Sequence, residues 1–373
     1  MTLLSPSADF VYGNTRLRAR KSELLGEREY DALLGRDLEG IFEVLAGTAY
    51  RAEVEAVLAA SGADRHALHE ALRRHLARRL GELRAFYEGR ALELVDVLLS
   101  RFDLHNLLAL LRGHVRRQPA EEVLANVFPL GALGGAVAPE IARQPELARG
   151  VDLLVTWRLP DPDLARALAD AWPEYERTED LAALEHALTA RQALRVEQAL
   201  AAAGRDAEPL RELVAREHDA INVLIVLRLR FALQLDELAD LPAPLGPGRF
   251  LAGGRISPEA LETALRQPTR PEAVAKLVEA ARREDWRAPL QHIAAGGDLP
   301  TLQRELEASR VRWAVGLFLR GDPLGLDVPI AYAVALENEV RNLRLLGEGA
   351  VGGLPAAALR AQLIVPWGGR WDG

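Results

Sequence analysis

The sequence predicts an all-α protein with three similar helical domains, and three observations lead to this prediction. Alanine, leucine, arginine and glutamate are the commonest residues, and all four favour helices. Apolar residues recur at steps of three and four, as the buried face of a helix requires. A short polar pattern also returns three times, at intervals of about a third of the chain. No stretch alternates polar and apolar residues in the way that predicts a strand.

Two stretches show the helical period most clearly, and we expect each to bury one face. Their apolar members are Leu68, Leu72, Leu76, Leu80 and Leu83 in the first, and Leu181, Leu184, Leu188 and then Leu194 in the second. Glycine and proline interrupt the helical pattern and predict breaks. The breaks are expected at Pro160-Asp161-Pro162, Leu241-Pro242-Ala243-Pro244, Gly296-Gly297 and Gly352-Gly353.

The repeated polar pattern is an acid followed three residues later by asparagine. Its three copies are Asp103 with Asn106, Asp219 with Asn222, and Glu339 with Asn342. In the first two copies five apolar residues and an arginine follow, whereas the third copy lacks the final arginine. The asparagines are 116 and 120 positions apart, which makes the repeat much longer than a solenoid unit. Each copy is therefore long enough to bury its own core.

Two further features recur at similar positions relative to this pattern. A glycine pair precedes a Pro-Glu pair at the same offset twice, and an aromatic residue precedes arginine once in each third of the chain. These features are Gly134-Gly135 with Pro139-Glu140, Gly253-Gly254 with Pro258-Glu259, and the steps Tyr50-Arg51, Trp157-Arg158 and Trp286-Arg287. The sequence thus predicts related helical-bundle domains at 1–125, 126–245 and 246–373. Three such domains in a row can form a funnel with pseudo-threefold symmetry.

Composition excludes several classes of function. The chain has no cysteine, which removes disulfides, thiolate metal sites and cysteine nucleophiles. Its net charge of -8 argues against a nucleic-acid binder, which needs basic surface to displace counterions. The N-terminus lacks a signal-peptide pattern, and the longest apolar stretches are far shorter than the roughly 20 residues needed to cross a bilayer. We expect no direct membrane insertion.

No motif predicts a cofactor or metal site. Gly347 to Gly352 matches G-x-G-x-x-G, but the surrounding pattern is helical and predicts a helix end rather than a dinucleotide site. Neither lysine, Lys21 or Lys276, stands in a P-loop. His66, His69 and His75 do not form a zinc-binding pattern, and a solvated helix surface is the favoured interpretation. We therefore expect no cofactor and no metal.

Many acidic residues stand four positions before an arginine, a spacing that places both on one face of a helix. Pairs such as Glu212 with Arg216 and Glu279 with Arg283 are predicted to be surface ion pairs.

The repeated acid–asparagine pairs are expected to be at least partly buried beside their apolar stretches. Each pair then either ties its helix to neighbouring backbone or to an arginine, or lines a central opening as part of a polar ring. An enzyme hypothesis would place an acid–base pair among Asp103, Asp219 and Glu339.

For the aromatic–arginine steps we expect a buried ring and an exposed arginine.

Several segments resemble the C subunit of the archaeal and bacterial V/A-type ATP synthases, which is related to the d subunit of the eukaryotic vacuolar ATPase. The resemblance is carried by Phe10 to Ala19 (FVYGNTRLRA), Phe102 to Asn106 (FDLHN), Ala331 to Arg344 (AYAVALENEVRNLR), and Leu354-Pro355 through Leu363. These segments are spread over the whole chain, and the box at 331–344 is the most specific.

The resemblance implies a non-catalytic rotor adaptor. Members of this family are helical funnels that receive the central shaft, made of the D and F subunits, and rest on the membrane proteolipid ring of c/L subunits. The soluble part of the membrane stator is a further candidate partner. The implied location is the cytoplasmic, inner face of the cell membrane. On this interpretation the protein transmits torque between ATP chemistry and proton or sodium translocation.

A second hypothesis, from another class, is a free-standing α-helical scaffold that binds a partner helix in a central cavity. Such a scaffold would purify without ATP synthase subunits.

Overall fold

A computed structural model describes residues 9–232 and 250–366, and every regular element within these ranges is helical. The predicted all-α class is confirmed. The predicted break at Leu241 to Pro244, the domain boundary at 245/246 and most of the Trp- and Gly-rich tail lie outside the described residues.

The contacts group the chain into two compact units. Unit 1 comprises Met1–Ala165 and Ala314–Gly373, and unit 2 comprises Arg166–Trp313. The division at 1–125, 126–245 and 246–373, and the funnel that it would form, stay predictions.

Ten helices of unit 1 precede Pro162, and two more lie near the end of the described chain. They are α1 Val11–Lys21, α2 Glu27–Leu33, α3 Leu38–Ala46, α4 Arg51–Ser61, α5 Arg65–Ala85, α6 Gly89–Leu99, α7 Arg101–Val115, α8 Ala120–Leu124, α9 Val137–Ala142, α10 Leu147–Thr156, α18 Asp327–Val351 and α19 Ala356–Gln362.

Unit 2 holds five described helices, and two further helices run across its chain boundaries. The five are α12 Leu181–Ala203, α13 Glu208–Ala232, α14 Pro258–Leu265, α15 Arg270–Ala281 and α16 Glu284–Ala294, and the other two are α11 Pro162–Thr178 and α17 Leu299–Arg320. A 3-10 turn at Gly204–Ala207 joins α12 to α13.

The core of unit 1 is built around α5 and α18. The predicted leucine stripe of α5 is completely or almost completely buried. Helix α18 packs against it and has buried residues along most of its length. The two helices approach closely at Gly347, where a Cβ atom would stand only 2.4 Å from the Leu68 Cδ2 atom. A glycine is required at this contact because no larger residue would fit without moving Leu68.

The core of unit 2 is formed by the last part of α13 together with α14 to α17. Val223 and Leu227 of α13 are fully buried against Leu261, Leu277 and other apolar residues of these helices. Trp286 of α16 is the largest side chain of this cluster and is 1% exposed.

For one member of the predicted apolar stripe in α12, the prediction of burial is wrong. Leu184 and Leu188 are buried, but Leu194 is exposed. Six residues separate Leu188 from Leu194, and at about 100° per residue this step turns the side chain to the other side of the helix. The buried face continues instead through Gln192 and Val196.

Gly347 to Gly352 forms the last turns of α18 and the residue that ends it, as the helical pattern predicts. Within the two described ranges, no helix combines the length and the apolar character needed to span a membrane.

Candidate functional site

Asp219 and Asn222 of α13 bind one short backbone segment of unit 2, Leu251 to Ile256. The Asn222 side chain exchanges two hydrogen bonds with Leu251: its Nδ2 donates to the carbonyl at 3.0 Å, and its Oδ1 accepts from the amide at 2.8 Å. The Asp219 carboxylate accepts from the amides of Arg255 at 3.1 Å and Ile256 at 3.0 Å. Both side chains are buried, so one helical turn satisfies backbone groups that have lost contact with water.

A glycine allows this segment to approach the carboxylate. A Cβ atom at Gly254 would lie 2.4 Å from Asp219 Oδ1, which is far inside the normal contact distance. The predicted glycine pair therefore has a physical role, because any side chain at Gly254 would push the segment away from Asp219.

Asp103 and Asn106 of α7 make the same arrangement in unit 1. Asn106 Oδ1 accepts from the Phe128 amide at 2.8 Å, and its Nδ2 donates to the Phe128 carbonyl at 2.9 Å. Asp103 Oδ1 accepts from the Leu133 amide at 3.1 Å. Gly131 has φ +78°, and a Cβ atom there would lie 2.3 Å from Asp103 Oδ1. Asp103 is half-buried, whereas Asn106 is fully buried.

The third copy keeps the asparagine contact but changes the acid contact. Asn342 of α18 donates to the Ile364 carbonyl at 2.9 Å and accepts from its amide at 3.2 Å. Glu339, which is longer than aspartate, accepts instead from the Leu25 amide and from the Tyr50 hydroxyl, the latter at 2.8 Å. It therefore ties α18 to the N-terminal helices of unit 1.

We call these three arrangements the asparagine clamps, defined by Asn106, Asn222 and Asn342 with their backbone partners.

Burial changes the acid–base properties of Glu339. Its carboxyl group is 3% exposed, and this loss of hydration raises its pKa to about 7, although the Leu25 amide and the Tyr50 hydroxyl act in the opposite direction. Burial, together with the neighbouring Glu339 carboxylate, raises the pKa of Tyr50 well above its usual range. The two side chains form a buried contact between α18 and the start of α4.

The two ion pairs expected on the surface are not found there, so that expectation is wrong: Glu212–Arg216 of α13 forms but is largely buried, and Glu279–Arg283 does not form. Arg216 Nε is 2.8 Å from Glu212 Oε1, and its Nη1 is 2.9 Å from Asp285 Oδ2 of α16. Arg283 pairs with Glu212 and with Asp219, rather than with Glu279 as the helical spacing suggests. Helices α16 and α17 cover these groups, which the sequence of α13 alone does not reveal.

The aromatic–arginine steps follow the expectation in two of three cases. Tyr50 and Trp286 are buried, and the arginine after each is exposed. Trp157 is 45% exposed, so the expectation of a buried ring is wrong there. Trp157 is the C-cap residue of α10, and the following residue, Arg158, has φ +56°, so the helix stops at this ring.

The histidines of α5 also differ from the expected solvated surface. His66 is exposed and His69 is half-buried, but His75 is 1% exposed. The His75 ring stacks on Tyr50 with centroids 3.8 Å apart, and its Nδ1 lies 3.1 Å from Glu53 Oε2. Nowhere in residues 9–232 and 250–366 do three acidic or histidine side chains form a group suited to a metal ion.

Asn14 of α1 makes a further clamp that the repeated spacing did not identify. Its Nδ2 donates to the carbonyls of Pro323 at 2.9 Å and Gly325 at 2.8 Å, and its Oδ1 accepts from the Tyr87 hydroxyl at 2.7 Å. Position 11, three residues before Asn14, is valine, so the acid–asparagine spacing is absent here. The only available signal is that Asn14 lies in the N-terminal box Phe10 to Ala19.

The six predicted residues thus bind backbone and neighbouring side chains within their own units. Five of them are buried, and their hydrogen bonds hold loops and helices together. Their arrangement suits mechanical support rather than chemistry on a substrate. The interpretation of these residues as a polar ring around a central opening stays a prediction.

Comparison with known proteins gives a match over nearly the whole chain. A family model described as ATP synthase (C/AC39) subunit matches residues 13–362. The C subunit of the V-type ATP synthase of Thermus thermophilus is 32% identical over 364 residues, covering 96% of this chain and 99% of that protein. The C subunit of the A-type ATP synthase of Haloferax volcanii is 28% identical over 360 residues, covering 95% of this chain and 97% of that protein. The C subunit of the A-type ATP synthase of Methanosarcina barkeri is 24% identical over 373 residues, covering 96% of this chain and 94% of that protein.

Proposed function

Because the chain belongs to the ATP synthase (C/AC39) subunit family, we propose that it is the rotor adaptor of a V/A-type ATP synthase. The family is structural and non-catalytic, which sets aside the hypothesis of an acid–base enzyme. In the proposed role the protein receives the shaft of the D and F subunits and rests on the proteolipid ring at the cytoplasmic face of the membrane. It transmits torque between ATP chemistry and ion translocation.

One observation carries this proposal. The match spans residues 13–362, and the relatives are covered over 94% to 99% of their own length. The likeness is therefore to a complete subunit rather than to a widespread helical module.

The asparagine clamps support the mechanical part of the proposal. An adaptor that transmits torque must resist bending where loops join its helices. Each clamp fixes a loop to a long helix through two directional hydrogen bonds between buried groups. Buried hydrogen bonds of this kind cost free energy to break, so they hinder relative movement of the two segments.

Recovery of the complex from membranes tests the proposal. The tagged chain is expressed in its own cells, the membranes are dissolved in mild detergent, and the bound proteins are identified by mass. We expect the D and F shaft subunits, the proteolipid and the catalytic head subunits. An untagged strain and a tagged protein of similar size are the controls. A salt titration should release shaft before proteolipid subunits if the shaft contact is the more polar one.

Recovery of the chain alone, or with unrelated proteins, would contradict the adaptor role. That result would favour the free-standing helical scaffold with a partner helix.

A further inference from the structure

A surface cleft of about 460 Å³ lies between α14 and α15 of unit 2. Arg255, Lys276 and Arg282 line it, and Glu279 is the only acid among the lining residues. The small side chains of Ala260 and Ala280 leave room between these charges. The lining thus carries three cations and one acid, whereas the whole chain has a net charge of -8.

The three cations come from separate chain positions on the two walls of the cleft. Lys276 lies within α15, and Arg282 ends that helix six residues later, which places their backbones about 9 Å apart along the axis. Arg255 stands on the opposite wall, just before α14. Several carboxylates along one peptide chain can each pair with one of these cations.

Two of these cations already pair with carboxylates of the protein itself. Lys276 Nζ is 3.1 Å from Glu279 Oε2, and Arg255 Nη2 is 2.6 Å from Glu212 Oε2. The Glu279 side chain is 74% exposed and the Lys276 side chain 46%, so their pairing is weak and exchanges readily with another carboxylate. An incoming acidic side chain would take the place of Glu279.

We propose that this cleft binds an acidic peptide segment of a partner protein. The proposal goes beyond the adaptor role, and it holds or fails whichever protein supplies the segment. Charge attraction brings the segment to the cleft, and the small lining residues allow its backbone to lie between α14 and α15.

Binding of a synthetic peptide to the purified full-length chain tests this proposal. Fluorescent hexaglutamate is the probe, hexaglutamine is the neutral control, and anisotropy is read at salt concentrations of about 50 and 200 mM. We expect hexaglutamate alone to bind, with an affinity that falls as salt rises. Unlabelled hexaglutamate should displace the probe far better than inorganic phosphate at equal concentration.

Four variants separate the cleft from general charge effects. Lys276→Gln and Arg282→Gly should each weaken binding about fivefold, a change of about 1 kcal/mol. Arg282 has φ +50°, a backbone conformation that glycine adopts with less strain than arginine. Arg282→Gly should therefore remove the charge without destabilising the fold. Glu279→Gln should strengthen binding about threefold, because it removes the competing carboxylate. Arg205→Gln makes the same charge change elsewhere in unit 2 and should have no effect.

Three outcomes would overturn the proposal. They are the absence of salt-dependent binding, an equal loss in Arg205→Gln and the cleft variants, and displacement by phosphate as effective as by the peptide.

Discussion

At the scale of single residues, the most informative feature is a set of buried polar side chains that bind backbone. Asn106, Asn222 and Asn342 each present one acceptor and one donor to a single residue, in the way that a neighbouring strand would. The asparagine side chain ends in the same amide group as the backbone, so it satisfies both polar groups of that residue at once. This explains why asparagine occupies all three positions.

The pH dependence of stability should reveal the buried Glu339. Its pKa is raised from 4.5 to about 7 by burial, so the folded protein keeps a proton that the unfolded chain releases. The stabilising contribution of this group is complete below about pH 4.5 and is lost as the pH rises through 7. Chemical denaturation at several pH values measures it. The difference in unfolding free energy between wild type and Glu339→Gln should fall by on the order of 3 kcal/mol over this interval.

Glu43→Gln is the matched control, because Glu43 is 80% exposed in the same unit. Its unfolding free energy should follow that of the wild type at every pH. A constant difference between wild type and Glu339→Gln would show that the folded and unfolded forms bind the same number of protons at Glu339.

At the scale of elements, the clamps join long helices to loops that lie many residues further along the chain. Asn222 of α13 meets Leu251, which is 29 positions away, and this contact places the segment that leads into α14. Asp219, one helical turn before Asn222, completes the junction by accepting from the Arg255 amide beside Gly254. The loop is thus held by the helix before it rather than by its own turn chemistry.

Removing one clamp should therefore destabilise the fold more than removing an ordinary asparagine. Asn222→Leu leaves the Leu251 amide and carbonyl buried without their partner, at a cost of about 2–4 kcal/mol. Asn126→Leu changes an exposed residue whose side chain binds only a carbonyl of its own turn, and should cost less than about 0.5 kcal/mol. Urea denaturation of both variants measures these costs. Equal losses would mean that the Asn222 clamp contributes nothing beyond an exposed hydrogen bond.

At the scale of the whole molecule, the buried polar contacts suit a part that carries load. The family match runs from residue 13 to 362 and includes all three clamp asparagines, and the proposed adaptor role would load this whole range. Helix α18, near the end of the described chain, packs in unit 1 against α5 and also against α1, the first described helix. These contacts place segments from near both ends of the described chain in one core, which opposes unravelling from either side.

If the chain has the proposed adaptor role, its loss should uncouple ATP hydrolysis from ion transport. In inverted vesicles from cells depleted of this chain, ATP-driven ion transport should fall by about tenfold or more, to the limit set by the remaining protein. ATP hydrolysis by the released head should persist in the soluble fraction, because the catalytic residues lie in other subunits. Expression of the wild-type chain should restore transport. Normal transport in depleted vesicles would contradict the adaptor role.

The sequence by itself determined the all-α class, because helical periodicity and composition are local properties that need no knowledge of distant partners. It also determined that the acid–asparagine pairs lie beside apolar helix faces, since a spacing of three puts both side chains on one side of a helix. The segments that resemble the V/A-type C subunit identified the family before any contact was known.

Only the tertiary structure decided what these residues meet. Glu339 accepts a hydrogen bond from Leu25, 314 positions away, and no local pattern indicates that partner. Arg216, Trp157 and His75 have exposures that their own helices do not predict, because burial depends on which other helices cover them. The physical reason is that hydrogen bonding and sterics within a few residues set the faces of a helix. The choice of partner for each face depends instead on the sum of many weak contacts over the whole fold.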